Sequence, residues 1–118
     1  MTEVPAFDHV ALAIPNLDEQ VERLTTMLGF VVDRRSEHYA LVSDPASGIK
    51  FELSESSDGE AHFRHLGFRT PDVDGAHSAL IEAGMISTEA PHRRDFASMY
   101  TSFLKEASGL EVQLVKYD

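Results

Sequence analysis

The sequence predicts an α+β fold in which two βαβββ modules share one 118-residue chain. The first observation behind this prediction is an internal repeat, because the residues from Phe7 recur from Phe63 at a constant offset of 56. The second is that the ends of the two modules match as well, at a slightly larger offset of 61. The third is that in each copy a period-two apolar pattern is followed by a helical one. The matched residues are Phe7 and Phe63, His9 and His65, Pro15 and Pro71, Asp18 and Asp74, Leu24 and Leu80, and Glu52 and Gln113.

The first module is predicted to span residues 1–55. Residues 7–14 alternate as a β-strand, with His9 on the face opposite the bulky apolar residues. Asn16 is predicted to be an N-cap with Glu19 as its capping-box partner, and apolar residues at helical spacing then continue to Gly29. Residues 30–35, 38–43 and 50–54 are predicted as three short strands, with a turn over 44–48.

The second module is predicted to repeat this plan over residues 62–118, after a polar linker over 56–61. A strand over 63–70 leads to a helix that is capped by Asp72 and ends at Gly84. Strands are then expected over 85–87, 99–104 and 110–117. The additional residues of this copy are assigned to a loop over 88–97. The two modules together are expected to make a single domain with curled mixed sheets around a cup.

Composition excludes several classes of function. The chain has no cysteine, so any metal would be bound by nitrogen and oxygen ligands alone. A formal net charge of −10 argues against nucleic acid as a partner. Apolar stretches are too short to cross a membrane, and residues 1–5 lack the features of a signal peptide. We therefore expect a cytoplasmic protein that does not bind membranes.

Four repeat-related side chains are the candidate metal ligands. Period two places His9 and Glu52 on the face of the first sheet that lies away from the helix, which we call the non-helix face. The repeat places His65 and Gln113 at the matching positions of the second module. Two imidazoles, a carboxylate and a carboxamide suit Zn²⁺, Ni²⁺, Co²⁺, Fe²⁺ or Mn²⁺. The alternatives are two core histidines, an edge-strand carboxylate and a surface amide.

These motifs resemble the vicinal oxygen chelate superfamily, which includes glyoxalase I, methylmalonyl-CoA epimerase, extradiol dioxygenases, fosfomycin-resistance transferases and bleomycin-resistance proteins. The resemblance rests on the repeated modules, on the segments around His9 and His65, and on the Ser-Gly-x-x-x-(Glu/Gln)-Leu ends. It implies that His9, Glu52, His65 and Gln113 bind one metal ion, which holds two oxygens of the substrate. Many members have glutamate where this chain has Gln113, and this departure counts against the dioxygenase and fosfomycin reactions.

The function that the resemblance favours is a metal-dependent lyase or isomerase, similar to glyoxalase I or to an epimerase, with Glu52 moving a proton. One alternative is an Fe(II) dioxygenase with His9, His65 and Glu52 as its facial triad. The other is a non-catalytic binder of the bleomycin-resistance type, which the acidic charge favours and the retained ligands oppose. A homodimer is expected whether the site forms within one chain or by swapping across a dimer.

Further residues are predicted to contact a small-molecule substrate. Arg69 lies on the same face as His65 and is expected to hold a carboxylate or phosphate. Arg93 and Arg94, in the predicted loop, are expected to clamp an anionic tail such as a coenzyme phosphate or a glutathione carboxylate. Phe96 and Tyr100 are expected to line the pocket, and Tyr100 is also considered as a proton donor. Each of these residues has a structural alternative, either a solvated surface charge or a core aromatic side chain.

Overall fold

The computed structural model describes residues 4–118, so the first three residues of the predicted first module lie outside the described residues. The contacts divide the chain into two compact units. The first unit is His9–Arg64. The second unit is His65–Asp118 together with the N-terminal residues up to Asp8.

The first unit has the predicted order of one strand, one helix and three strands. The elements are β1 (Ala6–Ile14), α1 (Leu17–Leu28), β2 (Val31–Ser36), β3 (Tyr39–Ser43) and β4 (Lys50–Glu55). The strands pair in the order β2-β3-β4-β1, with β1 and β4 parallel and the other pairs antiparallel. This mixed four-stranded sheet confirms the first βαβββ module.

Helix α1 covers one face of this sheet. Leu17 and Val21 pack with Ala40, Val42 and Leu53 in a buried cluster. These strand residues lie on the face opposite to Glu52, because Leu53 follows Glu52 along β4 and Ala40 pairs with Leu53 on β3. The helix side of this sheet is therefore apolar, whereas the other face carries His9 and Glu52 beside the buried Ala11 and Leu41.

The capping box predicted for α1 is wrong. Asn16 occupies the N-cap position, but it has a left-handed backbone with φ 56° and its side chain makes no capping hydrogen bond. Glu19 instead forms an ion pair with Arg23, one helical turn later, at 2.5 Å. The left-handed backbone is one that asparagine tolerates better than most residues. The predicted end of the helix is confirmed, because Gly29 is its left-handed C-cap.

The second unit repeats the architecture. Its elements are β5 (His62–Arg69), α2 (Val73–Glu82), β6 (Ile86–Arg94), β7 (Met99–Lys105) and β8 (Glu111–Tyr117). The strands pair in the order β5-β8-β7-β6, with β5 and β8 parallel and the other pairs antiparallel. Asp72 caps α2 as predicted, since its side chain accepts a hydrogen bond from the Gly75 amide at 3.0 Å.

His77 joins α2 to the sheet of the second unit. It is buried, and its two ring nitrogens lie 2.8 Å from the Ser102 hydroxyl and 2.9 Å from the Ser87 hydroxyl. Burial lowers the pKa of His77, and the charge of Asp74 partly offsets this effect. The imidazole is thus a neutral, hydrogen-bonded part of the helix–sheet interface.

The loop predicted over 88–97 is wrong for most of its length. Strand β6 continues to Arg94, and a short 3-10 helix, Asp95–Ala97, follows. The strand escaped the period-two pattern because it is polar and is interrupted by register shifts between Ser87 and Glu89 and between Glu89 and His92. Pro91 lies within the second shift, where a missing backbone donor is tolerated. Among the described residues, neither helix is long and apolar enough to cross a membrane.

Candidate metal centre

His9 and Glu52 form the polar pair on the non-helix face of the first unit. His9 is fully buried on β1, and the Glu52 side chain on β4 is 13% exposed. Nε2 of His9 lies 3.4 Å from Oε2 of Glu52. The parallel register that pairs Ala11 with Glu52 brings the two side chains onto the same face. We call this pair the first half-site.

His65 and Gln113 form the matching pair in the second unit, which we call the second half-site. Both residues are buried, and Nε2 of His65 lies 3.0 Å from Oε1 of Gln113. Gly67 pairs with Gln113 here, as Ala11 pairs with Glu52 in the first unit. The strand registers are therefore equivalent in the two units. Each predicted histidine is next to its predicted last-strand partner.

The orientation of the Gln113 amide is determined by its neighbours on β7. Its nitrogen donates to the Thr101 hydroxyl at 2.9 Å and approaches the Met99 sulfur at 3.5 Å. The Thr101 hydroxyl donates its own hydrogen to the Leu114 carbonyl at 2.6 Å, so it can only accept from Gln113. The amide oxygen is consequently directed at His65. Both Thr101 and Gln113 are almost completely buried.

The donor atoms of each half-site have the spacing of two ligands on one divalent ion. Ligands bound at about 2.1 Å lie about 3.0 Å apart at a right angle and about 3.4 Å apart at a tetrahedral angle. The observed separations are 3.0 Å in the second half-site and 3.4 Å in the first. Imidazole nitrogen with carboxylate or amide oxygen also suits a borderline-to-hard cation. The residues present thus fit a divalent metal ion.

Arg69 lies at the end of β5 and interacts with the N-terminal residues of its own unit. Its Nη1 donates to the Phe7 carbonyl at 2.9 Å and lies 3.6 Å from Oδ1 of the buried Asp8. The Tyr117 hydroxyl donates to the same carboxylate at 2.5 Å. Arg69 also borders a cleft of about 530 Å³. The other lining residues are Val4, Ala6, Thr70, Pro71, Val115, Lys116 and Tyr117. A role of Arg69 in substrate binding stays a prediction.

Arg93 is held by carboxylates. Its Nη1 donates to Asp118 at 2.7 Å, its Nη2 also contacts Asp118, and its Nε donates to Asp95 at 2.8 Å. The hydrogen bonds to Asp118 are the main reason why the pKa of Arg93 is raised. All three guanidinium nitrogens therefore have partners within the chain, and the predicted clamp on an anionic tail stays a prediction.

Tyr100 and Phe96 lie in different surroundings. Tyr100 packs on the helix side of the second sheet, and its hydroxyl donates to Asp74 at 2.8 Å. This hydrogen bond raises the pKa of Tyr100. Phe96 is 62% exposed, with the Arg94 guanidinium carbon 6.0 Å from its ring centroid. Substrate contact by either residue stays a prediction.

Two residues that support the second half-site are absent from the predicted site residues. Thr101 orients the Gln113 amide, and Phe103 meets the ring of His65 edge-on, with centroids 5.1 Å apart. The signal that identifies them is strand pairing, because β7 pairs directly with the strand that carries Gln113. Parity then selects Thr101 and Phe103 as the β7 residues on the non-helix face.

Comparisons with known proteins agree with this architecture. The family profile described as Glyoxalase/Bleomycin resistance protein/Dioxygenase superfamily matches residues 6–114. A methylmalonyl-CoA epimerase from Mycobacterium tuberculosis is 21% identical, with a TM-score of 0.82 over 100% of this chain and 93% of that chain. A methylmalonyl-CoA epimerase from Streptomyces coelicolor, solved with 2-nitronate-propionyl-CoA, is 22% identical, with a TM-score of 0.79 over 98% of this chain and 99% of that chain.

At these identities the solved structures establish a shared fold. No curated protein matched the sequence. The family profile covers most of the chain, including His9, Glu52, His65 and Gln113. The chain therefore belongs to the glyoxalase/bleomycin resistance protein/dioxygenase superfamily, the group that the repeated modules resemble.

Proposed function

We propose that this protein is a divalent-metal-dependent isomerase of the epimerase or glyoxalase I type. It would move a proton on the carbon next to a carbonyl, in a substrate that presents two neighbouring oxygens. The observation that carries the proposal is the equivalence of the half-sites. Each is a buried histidine beside an oxygen donor at ligand spacing. The proposal requires both pairs to face one cation, as the repeat predicts.

In this proposal His9, His65, Glu52 and Gln113 hold the cation. A bound divalent ion acts as a Lewis acid, which polarises a carbonyl and makes the adjacent carbon more acidic. Glu52 is the one carboxylate of the four side chains, and its second oxygen can take up a proton while the first holds the cation. Each imidazole would instead use its Nε2 lone pair for the cation. The Glu52 side chain is only 13% exposed, so it is shielded from bulk water, and electrostatic interactions are stronger there than in solution.

The proposed substrate is an acyl-CoA thioester with an acidic carbon next to the carbonyl. The support for this class is the likeness to epimerases whose names specify methylmalonyl-CoA, one of them solved with a propionyl-CoA nitronate. Exchange of the acidic hydrogen with solvent deuterium, followed by NMR on methylmalonyl-CoA, measures the proposed step directly. Oxygen consumption with a catechol would instead indicate the dioxygenase alternative.

Two sets of variants test the proposal. Metal analysis of the purified protein, and of His9→Ala and His65→Ala, should show stoichiometric metal that is lost in both variants. Glu52→Gln should keep the fold and much of the metal binding but slow exchange by about 10²-fold or more. Glu55→Gln, at the exposed end of the same strand, is the matched control and should exchange at the parental rate.

The possible outcomes separate the alternatives. A parental exchange rate in Glu52→Gln would eliminate Glu52 as the base. A protein that binds no divalent metal under any condition would eliminate both enzyme functions and leave the drug-binding alternative.

Three further expectations accompany this function. The two units are proposed to form one glyoxalase-like domain, and the protein is expected to be a homodimer in the cytoplasm. Light scattering on the purified protein measures the oligomeric state, and a mass equal to a single chain would contradict the dimer.

A further inference from the structure

We propose that Arg94 binds an anionic group of the substrate, so that β6 forms an oxyanion subsite beside the second half-site. This inference rests on the proposed function and names a substrate feature that the function leaves open. It assigns the specificity of the site to β6, which has 9 residues, whereas its counterpart β2 in the first module has 6.

On the non-helix face of the second unit, the ring of Phe103 lies between Arg94 and His65. The Arg94 guanidinium carbon lies 4.9 Å from the centroid of the Phe103 ring. The same ring meets His65 edge-on at 5.1 Å. Phe103 pairs with Gln113 on one side and with Glu89 of β6 on the other. One aromatic residue therefore lies between the arginine and the second half-site.

Arg94 is held in place by three different kinds of contact. Its Nη2 donates to Glu89 at 2.8 Å, and its Nε donates to Nε2 of His92 at 3.3 Å. Nδ1 of His92 lies 2.8 Å from the Ala90 carbonyl, which can only accept, so His92 is protonated there and accepts from Arg94 at Nε2. The Phe103 ring supports the guanidinium through a cation–π contact. A cation held this firmly loses little freedom when it binds a ligand.

Arg94 keeps one donor for a ligand, whereas its neighbour Arg93 does not. Over residues 4–118, no hydrogen bond is formed by Nη1 of Arg94, and its side chain is 29% exposed. Arg93 directs all three of its nitrogens at Asp95 and Asp118. The two adjacent arginines thus differ in their contacts. Arg93 is bound to Asp95 and Asp118, whereas Arg94 keeps its Nη1 available for a ligand. They form a matched pair for an experiment.

The position of Arg94 sets the kind of ligand. The Arg94 guanidinium carbon lies 4.9 Å and the His65 ring centroid 5.1 Å from the centroid of Phe103, so the guanidinium and the imidazole are at most about 10 Å apart. A charge-assisted hydrogen bond accounts for about 3 Å of this distance. The remainder is spanned by about four or five covalent bonds of about 1.5 Å each. The acyl part of the proposed substrate therefore carries a carboxylate or phosphate several bonds away from its two neighbouring oxygens, and small 2-oxo acids reproduce this arrangement.

Calorimetric titration with matched 2-oxo acids tests the subsite without measuring turnover. The protein is loaded with Zn²⁺ and titrated with 2-oxoglutarate and with 2-oxopentanoate, which has the same 2-oxo acid end but lacks the remote carboxylate. A third titration uses 3-phosphohydroxypyruvate, in which the remote anion is a phosphate. The variants are Arg94→Met, Arg94→Lys and the control Arg93→Met. Thermal unfolding checks that each variant is folded.

We expect the parent protein and Arg93→Met to prefer the ligand with a remote anion by about 10-fold or more, the usual effect of one charge-assisted hydrogen bond. Arg94→Met should remove this preference and leave the affinity for 2-oxopentanoate unchanged. Arg94→Lys should restore part of it, because lysine keeps the charge but not the fork of donors. The larger preference, for carboxylate or for phosphate, identifies the anion.

Two outcomes would overturn the inference in different ways. Equal affinity of the parent for 2-oxoglutarate, 3-phosphohydroxypyruvate and 2-oxopentanoate would eliminate the subsite and leave the proposed metal function intact. The same conclusion follows if Arg94→Met keeps the preference. No binding of any of the three ligands by the Zn²⁺-loaded protein would also eliminate the subsite, whereas a folded protein that takes up no Zn²⁺ would eliminate the proposed function as well.

Discussion

Replacing Gln113 with glutamate tests the hydrogen-bond network that directs its amide. The new carboxylate would place an oxygen where the amide nitrogen now donates to Thr101 and approaches Met99. The Thr101 hydrogen is already donated to the Leu114 carbonyl, so the two oxygens would repel unless the hydroxyl rotates and leaves that carbonyl. We therefore expect the metal-free Gln113→Glu protein to be destabilised even though the change replaces only NH₂ with O.

The magnitude follows from the number of hydrogen bonds lost. Leaving one buried polar group without a partner costs about 1–3 kcal/mol, and more when the group is charged. With a urea m-value of about 2 kcal/mol/M, a loss of 2 kcal/mol lowers the urea midpoint by about 1 M. Lowering the pH should reduce the loss, because a protonated carboxyl can donate to Thr101 again.

A double-mutant cycle with Thr101→Val isolates the proposed repulsion. Valine has the shape of threonine without the hydroxyl, so the double variant should lose less stability than the sum of the single variants, by about 0.5 kcal/mol or more. Adding Zn²⁺ should stabilise Gln113→Glu more than the parent, because the glutamate adds a second negative ligand. Parental stability of the metal-free Gln113→Glu protein, or strict additivity in the cycle, would refute the reasoning.

Two further predictions concern the helix side of the second unit. The pKa of His77 is lowered by burial from its unfolded value of about 6.5, so its neutral form contributes stability that is full above pH 6.5 and is lost as the pH falls; His77→Gln should flatten this dependence in urea titrations between about pH 8 and pH 5, and an unchanged slope would contradict the assignment. Tyr100→Phe removes a hydroxyl that donates to Asp74 away from the half-sites, so deuterium exchange should continue at the parental rate; a slower rate would instead support the prediction that Tyr100 contacts the substrate.

The sequence was sufficient for the repeated architecture because the repeat and the apolar periodicity are both local signals. The alternation around His9 and Glu52 placed them on the non-helix face, and the offset of the second copy led to His65 and Gln113. The structure confirms the pairing within each module. The end of α1 at Gly29 could also be predicted from the sequence, because a left-handed C-cap position strongly favours glycine.

The remaining features depend on contacts between strands that no sequence window contains. Strand β6 is stabilised by pairing with β7 rather than by apolar alternation, so its polar sequence predicts a loop. Asparagine is a common N-cap residue, but Asn16 has a left-handed backbone and its side chain forms no capping hydrogen bond. Thr101 is an ordinary strand threonine until its hydrogen bonds to Gln113 and Leu114 are known.

The polar character of β6 has a consequence for how the protein can evolve. Its residues are exposed or half-buried, and they contribute nothing to the buried cluster formed by Val73, Ala76, Leu104 and Leu114. Substitutions along this strand therefore remove little apolar packing, while the half-site beside it is held by the buried Thr101 and Gln113. Substitutions in β6 can therefore change the ligand that the protein recognises while the second half-site stays unchanged.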